Sequence, residues 1–296
     1  MLNMVYPDSH LWKALEFYGT RVHHRGKRRF HNWLLKKLRV SCDRDFEVRR
    51  LGLRWILNPA DFVQSSFYWT GEFEIWDWFH LSRLIRPNSI VCDVGANFGF
   101  YAVMIGQQLA PPGRVLAFEP SAETLSRLRT NIRLNDLESM VTAVPLALSD
   151  HEGTGFLANA TPEHLGIAKD NSGSKALASH GEKISVGTLD RVCSEQKIER
   201  LDLIKIDVEG HEMSVLRGAS ETIKHFKPVL MLECNDVALT NSGTSAQEMT
   251  DTLRSLGYQL FVSRRKQLVP YRSMPLGSRA GSVKNIVNIF ALSSLR

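Results

Sequence analysis

Two short segments of this sequence carry side chains suited to chemistry, and the first runs from Asp93 to Gly99. It places Gly95, Asn97 and Gly99 between two apolar runs. Glycine permits a tight bend and lets the backbone approach a ligand closely. Glu119 ends the next apolar run, where a carboxylate is placed to accept hydrogen bonds from both hydroxyls of a ribose. Together these residues predict a nucleoside site.

The glycine pattern of this turn differs from the usual phosphate-binding motifs. A dinucleotide site has the pattern G-x-G-x-x-G, and its middle and last glycines are missing here. The sequence contains no G-x-x-x-x-G-K-[ST] phosphate loop either. The turn therefore indicates a nucleoside without a pyrophosphate, and S-adenosylmethionine fits that description. The alternative is an ordinary turn between a strand and a helix, with Glu119 as a solvated acid.

The second segment, Leu203 to Glu212, places Asp207 at the end of an apolar run and just before a glycine turn. Ligands of open α/β sheets bind outside the carboxyl ends of the strands. Because four acids of this chain end predicted strands, we expect them to face one crevice. These acids are Asp93, Glu119, Asp207 and Glu233.

Lys205 and His211 add two titratable groups to this segment. Alternation along a strand puts Lys205 on the same face as Asp207, and a buried lysine needs a partner, for which Asp207 or Glu233 is suited. His211 stands within the carboxylate cluster, and an ordinary pKa near 6.5 suits a general base. The alternative is that His211 is a solvent-facing turn residue.

Other interpretations of this acidic cluster remain open. Glu209 and Glu212 are also suited to capping the helix that follows, because a helix N-terminus favours carboxylates. Clustered acids and a histidine can hold a divalent cation, but no ligand spacing demands one here, so no metal is predicted.

From residue 89 the sequence alternates between strand and helix patterns, which predicts βαβ units and a mostly parallel sheet. The predicted strands are Ile90–Asp93, Val115–Glu119, Val141–Leu148, Leu203–Asp207, Val229–Glu233, Tyr258–Ser263 and Ile286–Leu292. The predicted helices are Tyr101–Leu109, Ala122–Leu134 and Met213–His225. Residues 153–181 are rich in Gly, Ser, Ala and Asn and are expected to form a mobile, substrate-facing loop or a disordered insert.

The first 70 residues are expected to form a separate basic helical extension, with helices up to about residue 45 and a hairpin within 46–70. Residues 71–296 are expected to form the α/β domain, beginning with an aromatic-rich helix over 71–85. Because the chain has four widely spaced cysteines, no apolar run of transmembrane length and no apolar leader in residues 1–10, we expect a cytoplasmic protein.

The net charge of +6 arises largely in the first 54 residues, and residues 21–39 hold eight basic residues and no acid. Such a stretch attracts nucleic acid, anionic lipid or an acidic glycan. Its apolar residues recur at helical spacing: Phe30, Trp33, Leu34 and Leu38. One interpretation is an interfacial helix on an anionic membrane surface, which would make the protein peripheral to the membrane. The other, commoner in proteins, is a helix that packs this face on the core.

The motifs together resemble the FkbM family of S-adenosylmethionine-dependent methyltransferases, from about residue 65 to the C-terminus. The matching stretches are 91–99, 117–120, 131–135, 147–150, 188–190, 204–212 and 215–219. The resemblance implies a class I methyltransferase (Rossmann-like) fold with a seven-stranded, mostly parallel sheet whose last strand is antiparallel. It makes residues 71–296 the methyltransferase domain and leaves the basic N-terminal region unexplained.

The resemblance also implies a role for each candidate residue. Asp93, Gly95, Asn97 and Gly99 would surround the methionine part of the cofactor, and Glu119 would hold its ribose. Ser149 and Asp150 would lie near the adenine. Asp207, Glu209 and His211 would lie near the transferred methyl group, with Asp207 or His211 as the general base.

The predicted activity is O-methylation of a hydroxyl on a small molecule or glycan, such as a sugar, glycolipid or polyketide-like acceptor. Two alternatives remain. One is a nucleic-acid methyltransferase, which the positive charge favours, although Asp207-Val208-Glu209-Gly210 stands where enzymes that methylate base amines carry an Asn-Pro-Pro-Tyr motif; nucleic acid is therefore not the expected partner. The other is a non-catalytic S-adenosylmethionine-binding module that docks through the basic helix.

Overall fold

The structure is a computed structural model, and it describes residues 9–22, 26–38, 40, 42–159, 175–272 and 286–293. The described residues form two compact units that divide after Glu74. None of the helices in these ranges is long and apolar enough to cross a membrane.

The first unit contains three helices and one antiparallel hairpin among its described residues. They are α1 His10–Arg21, α2 Lys27–Lys37, β1 Phe46–Arg50, β2 Leu53–Leu57 and α3 Phe62–Thr70. Helix α3 is absent from the sequence prediction, which assigns 46–70 to a hairpin. It begins at Asp61, whose carboxylate accepts hydrogen bonds from the backbone N–H groups of Val63 and Gln64. Its aromatic run resembles a strand because consecutive side chains, not one stripe, are buried.

Aromatic packing forms the core of the first unit. The indole N–H of Trp12 donates to the hydroxyl of Tyr68 at 3.0 Å, and the Trp12 and Trp69 rings lie 4.6 Å apart. Gly19 allows α1 to approach this core, since a Cβ there would lie 2.0 Å from the carbonyl oxygen of Trp69. Aromatic pairs of this kind stabilise a small unit beyond the area that they bury.

Helix α2 buries an unexpected face. His31 is fully buried, its Nε2 lies 3.0 Å from the Leu15 carbonyl oxygen, and burial lowers its pKa. Lys27 is also buried and donates to the Gly19 carbonyl oxygen at 2.9 Å. Phe30 and Trp33, in contrast, are 47% and 54% exposed. The interpretation that this helix packs its aromatic face on the core is therefore wrong for these two residues.

The second unit is an α/β structure. Its described helices are α4 Ile75–Leu81, α5 Phe100–Gly106, α6 Ala122–Leu134, α7 Leu189–Glu195, α8 Glu212–Arg217, α9 Ser220–Phe226, α10 Asp236–Asn241 and α11 Ala246–Ser255. Its described strands are β3 Ile90–Val94, β4 Arg114–Phe118, β5 Val141–Val144, β6 Ala147–Leu148, β7 Gly153–Asn159, β8 Lys175–Ala178, β9 Glu182–Gly187, β10 Leu203–Ile206, β11 Val229–Asn235, β12 Tyr258–Arg264, β13 Gln267–Pro270 and β14 Ile286–Ser293.

The main sheet has the order β13-β12-β14-β11-β10-β3-β4-β5. The pairings from β11 to β5 are parallel, and β14 runs antiparallel to both of its neighbours. The mixed α/β architecture is confirmed, but the sheet has eight strands and not seven. The chain turns at Arg265, which has a φ of 55°, and β13 pairs with β12. Pro270 is tolerated there because β13 is an edge strand.

Two predicted elements are interrupted in the structure. The strand predicted over 141–148 divides into β5 and β6, because Pro145 lies between them and lacks a backbone N–H. The helix predicted over 213–225 divides into α8 and α9 at Gly218. A Cβ at Gly218 would lie 1.8 Å from the carbonyl oxygen of Ser149, so the backbone packs closely there.

Residues 153–181 were expected to form a loop or a disordered insert, and their described part contradicts this. Strands β6, β9, β7 and β8 form a second sheet in that order, in which β7 pairs antiparallel with both β8 and β9. Residues 160–174 lie outside the described residues. The strand pattern of this stretch is weak because most of its side chains are small. Leu157 of β7 belongs to an apolar cluster with Ile184 and Val186 of β9, which follow the stretch.

Candidate functional site

The glycine turn after β3 is fixed from two sides. The backbone N–H groups of Gly95 and Ala96 donate to the carbonyl oxygen of Phe118, at 3.1 and 3.0 Å, which ties the turn to the end of β4. On the other side, a Cβ at Gly95 would lie 1.9 Å from the carbonyl oxygen of Asp207. Gly95 has a φ of 75°, so both its conformation and its surroundings require glycine.

The turn then leads into α5 through Asn97 and Gly99. Asn97 has a φ of 51°, and its Oδ1 accepts a hydrogen bond from the Phe98 N–H at 2.7 Å. Gly99 has a φ of 96° and directly precedes α5. A Cβ at Gly99 would lie 2.6 Å from a methyl carbon of Leu128, so helix α6 also packs against the turn.

Glu119 connects the end of β4 to this turn. One carboxylate oxygen accepts from the Asn97 N–H at 2.9 Å, and the other accepts from the Ser121 N–H at 3.0 Å. Burial raises the pKa of Glu119 to about 7, although these two N–H groups oppose the shift. A carboxylate has about four lone-pair positions, so each oxygen can still accept a ligand hydroxyl.

Lys205 brings together the acids of β3 and β10. Its Nζ lies 3.2 Å from a carboxylate oxygen of Asp207 and 3.5 Å from one of Asp93. Asp93 is fully buried, and burial raises its pKa while the Lys205 ammonium opposes that shift. Asp207 remains 30% exposed. The structure therefore pairs Lys205 with Asp207, one of the two predicted partners, and adds Asp93.

Ser149, Asp150 and His211 form a separate group. The Ser149 hydroxyl lies 2.9 Å from Nε2 of His211 and 3.2 Å from a carboxylate oxygen of Asp150. Burial lowers the pKa of His211, with the Asp150 carboxylate opposing that shift, so the imidazole is neutral at pH 7. Sequence reasoning assigned Ser149 and His211 to opposite ends of the cofactor, whereas the two side chains are in contact.

The turn after Asp207 is shaped by Glu212. A carboxylate oxygen of Glu212 accepts from the N–H groups of Val208 and Gly210, both at 3.1 Å. These N–H groups belong to the turn before α8, whose N-cap residue His211 makes no side-chain capping bond, so Glu212 fixes the turn and does not cap the helix as the sequence offered. Burial raises the pKa of Glu212 to about 7. Glu209 lies within the turn with a φ of 53°.

Glu233 does not stand at a strand end as expected. Strand β11 continues to Asn235, and Glu233 is paired with Asn288 of β14 within it. The strand leads directly into α10, because the Asn235 side chain accepts from the Ala238 N–H and caps that helix.

Three residues near Glu119 were not found from the sequence. Glu182 of β9 accepts from the Ala122 N–H at 2.7 Å, which caps α6, and from the Ser121 hydroxyl at 3.1 Å. Lys175 of β8 donates to that hydroxyl at 2.7 Å. The small sheet is thus joined to the segment after Glu119. The position of Ser121 directly before the predicted helix was the available signal in the sequence. Lys175 lies in the stretch predicted as a loop, and Glu182 directly follows that stretch.

The described residues contain no group of three or more His, Cys, Asp or Glu side chains placed to hold a metal ion.

Comparison with known protein families shows to which family the chain belongs. Residues 93–260, more than half of the sequence, match the methyltransferase FkbM domain. The chain belongs to the FkbM methyltransferase family. The FkbM match begins at Asp93 and includes the glycine turn, Glu119, the small sheet and the Asp207 turn described above.

Three curated proteins are similar in sequence to this chain. The chain is 34% identical over 164 residues to 31-O-demethyl-FK506 methyltransferase FkbM of Streptomyces tacrolimicus, covering 46% of this chain and 62% of the relative. It is 32% identical over 155 residues to 2-O-methyltransferase NoeI of Sinorhizobium fredii, covering 48% and 62%. It is 26% identical over 148 residues to hexuronic acid methyltransferase AglP of Haloferax volcanii, covering 49% and 56%. The chain therefore matches about three fifths of the length of these relatives.

Proposed function

We propose that this protein is an S-adenosylmethionine-dependent O-methyltransferase that acts on a hydroxyl of a small molecule or glycan. One observation carries the proposal: the glycine turn contacts the buried Glu119 on one side and the Asp207 turn on the other. A ribose-binding carboxylate and a partly exposed acid thus flank a single bend. The names of the relatives, which include two O-methyltransferases and a hexuronic acid methyltransferase, support a hydroxyl or sugar acceptor.

The residues around the turn fit an S-adenosyl group. Gly95 and Gly99 let the Asp207 carbonyl oxygen and the Leu128 side chain pack against the turn, which fixes its backbone, and Glu119 offers carboxylate oxygens beside the turn. We assign Asp93, Gly95, Asn97 and Gly99 to the methionine part and Glu119 to the ribose. Bound S-adenosylmethionine supplies a methyl group that is already activated on its sulfonium.

The adenine end is assigned to Ser149 and Asp150. Ser149 is fully buried, so its contribution is to orient the exposed Asp150 and the ring of His211 through its hydroxyl. Asp150 also lies 3.9 Å from the Arg217 guanidinium, which limits its rotation. These contacts give this end of the site a fixed polar edge.

Asp207 is the proposed general base. The attacking hydroxyl must lose its proton as the new carbon–oxygen bond forms, and a positioned carboxylate accepts it. Asp207 is partly exposed beside the turn, whereas Nε2 of His211 is already bonded to Ser149. We assign Glu209 to shaping the methyl-transfer side of the site, and His211 to the end where Ser149 lies, because these two side chains are in contact. The protein's main contribution would be to hold the acceptor hydroxyl in a reactive orientation beside Asp207.

Transfer of radiolabelled methyl from S-adenosylmethionine to a panel of acceptors tests this function. The panel contains uronic acids, neutral sugars, polyketide alcohols, and RNA and DNA oligonucleotides. Labelling of a sugar or alcohol, with loss of labelling in Asp207→Asn, is the expected result. Labelling of nucleic acid alone would support the nucleic-acid alternative, and binding of S-adenosylmethionine with no transfer would support the non-catalytic one.

The first unit supports a second assignment, docking on an anionic membrane surface. Phe17 is 64% exposed and joins Phe30 and Trp33 as exposed aromatics on α1 and α2. The Phe30 and Trp33 rings stack at 5.6 Å, and exposed Lys36 and Lys37 follow them. Aromatic residues beside lysines are typical of surfaces that lie in a lipid headgroup region. We assign residues 1–70 to this docking role and residues 71–296 to catalysis.

Sedimentation with vesicles tests the docking assignment. The full chain is expected to sediment with vesicles rich in phosphatidylserine at low salt, and a Phe30→Ser/Trp33→Ser double variant is expected to remain in solution. Phe156→Ser, which alters an exposed aromatic of the second unit, is the control. Equal sedimentation of the double variant and wild type, or salt-sensitive binding to RNA alone, would contradict the assignment.

A further inference from the structure

We propose that Lys205 is a positioning residue that holds the cofactor turn and the base Asp207 in register. The inference rests on the proposed function and extends it to a residue that contacts neither reacting atom. Lys205 lies on β10, between β3 and β11 in the sheet. Its side chain is 5% exposed, so an acceptor cannot reach it.

The ammonium of Lys205 faces three acceptors. It donates a hydrogen bond to the Gly95 carbonyl oxygen at 3.2 Å. It also forms ion pairs with the Asp207 carboxylate at 3.2 Å and with the Asp93 carboxylate at 3.5 Å. Two of the three belong to the strand end and turn assigned to the cofactor, and the third belongs to the assigned base. One group therefore fixes the distance between these two parts of the site.

A purely structural role explains this arrangement poorly. Removing the Lys205 ammonium and the Asp93 carboxylate from water carries a large desolvation penalty, and well-packed apolar residues of similar volume are often as stable or more so. The neighbouring positions of β10, Ile204 and Ile206, show that the strand does bury aliphatic side chains. Lys205 is therefore better explained by its contacts with the glycine turn and Asp207 than by a contribution to folding stability.

Lys205 also sets the charge of the site. The charged and titratable groups that act on it or that it acts on are Asp93, Asp207, Glu119 and the ring of Tyr101, whose centroid lies 5.2 Å from Nζ. Without the ammonium, Asp93 and Asp207 would be two carboxylates with no positive charge between them. Like charges this close disfavour double ionisation, so one of the pair would take up a proton.

Calorimetric titration with S-adenosylhomocysteine, repeated in buffers of different ionisation enthalpy, tests the inference without any acceptor. Lys205→Met is expected to bind the ligand roughly tenfold or more weakly than wild type, because the turn is no longer held. Ligand binding to Lys205→Met is also expected to be accompanied by proton exchange with the buffer, unlike binding to wild type. Replacing a residue with a purely structural role would not change the number of protons exchanged. Lys183→Met, at an exposed position of β9, is the control and is expected to match wild type.

The kcat values of two variants separate the positioning effect of Lys205 from the effect of its charge. With an acceptor labelled in the panel, Lys205→Met is expected to lose about 100-fold in kcat, since displacement of a reacting group by about 1 Å has that effect. Lys205→Arg is expected to exchange the same number of protons as wild type when the ligand binds, because it keeps the positive charge. Its kcat is expected to be reduced, because a planar guanidinium does not reproduce the point contacts of an ammonium.

Each result supports or overturns the inference. Wild-type affinity and proton count in Lys205→Met would overturn it while the proposed function stands. If Lys205→Met does not fold, Lys205→Arg decides by calorimetry: a wild-type affinity would overturn the positioning role, and a weaker one with an unchanged proton count would support it. If wild type itself does not bind S-adenosylhomocysteine, the proposed function and the inference fall together.

Discussion

Gly95 and Asp207 approach so closely that a methyl group on Gly95 would lie 1.9 Å from the carbonyl oxygen of Asp207. This contact joins the two chemical motifs of the sequence, which are more than 100 residues apart. It also explains why the turn needs glycine, beyond the conformational reason that its φ of 75° supplies. The positions of the cofactor turn and of the candidate base therefore depend on each other.

Gly95→Ala is expected to abolish S-adenosylhomocysteine binding and to destabilise the second unit strongly. Gly257→Ala is a matched control, because Gly257 has a φ of 84° and no atom within 4 Å of an added Cβ. The free energy of unfolding of the control is expected to decrease only by the penalty of the left-handed conformation, about 1–2 kcal/mol. Urea unfolding and calorimetry measure both effects, and similar losses in the two variants would show that the contact with Asp207 is unimportant.

The affinity for S-adenosylhomocysteine is expected to depend on the ionisation of Glu119. The pKa of Glu119 is raised to about 7, and ribose hydroxyls donate to the charged form. Affinity should therefore fall as the pH drops below about 7, by up to about tenfold per pH unit. Titrations from pH 8.5 to 5.5 should show this fall in wild type and in the exposed control Glu138→Gln. Glu119→Gln should bind weakly at every pH, and an unchanged pH dependence in that variant would exclude Glu119 as its source.

Glu212 should make the unliganded protein less stable as the pH rises. The folded pKa, about 7, exceeds the ordinary value of 4.5, so the unfolded chain loses its proton first. Stability is then fully present below about pH 4.5 and decreases as the pH rises toward 7, by about 3 kcal/mol at most. The pKa of Glu119 is also raised to about 7, so its ionisation should likewise lower the stability of the unliganded protein as the pH rises.

Glu212→Gln removes this titration while its side-chain oxygen can still accept from the Val208 and Gly210 N–H groups. Urea unfolding at pH 5 and pH 7.5 should therefore show a smaller difference between the two pH values than in wild type. A variant that keeps the full wild-type difference would show that Glu212 ionises normally in the folded protein.

The choice of general base can be decided by two conservative variants. Asp207→Asn is expected to lower kcat by about 10²–10⁴-fold with little change in S-adenosylhomocysteine affinity. His211→Asn should have a smaller effect on kcat, because its Nε2 is held by Ser149. The kcat values with one acceptor give the answer, and a larger loss in His211→Asn would transfer the role of base to the histidine.

The framework of the site could be predicted from the sequence because its signals are local. Strands β4 and β10 each bury a short apolar run and are followed directly by an acid, so Glu119 and Asp207 were placed correctly by pattern alone, whereas Asp93 lies inside β3, one residue before its end. Strand alternation and the cost of burying an ammonium predicted Asp207 or Glu233 as the partner of Lys205, and the structure shows Asp207 there. These inferences need only the spacing of apolar residues along the sequence, the cost of burying a charged group, and the fact that parallel strands end at the same edge of a sheet.

The remaining features depend on contacts between distant segments. The Ser149–His211 contact joins residues 62 positions apart, and no local pattern reports it. The edge strand β13 contains Pro270, which argues against a strand until its edge position is known. The small sheet was missed because Gly153–Asn159 is poor in β-branched residues and forms through pairing with β9.

The most direct test of the account is calorimetric titration of the whole chain with S-adenosylhomocysteine, with NAD as the control ligand, in wild type and Glu119→Ala. The account predicts that wild type binds S-adenosylhomocysteine and not NAD, and that Glu119→Ala loses most of that affinity. Binding of NAD, or equal binding of S-adenosylhomocysteine by both proteins, would contradict the assignment of the glycine turn and Glu119 to an S-adenosyl group.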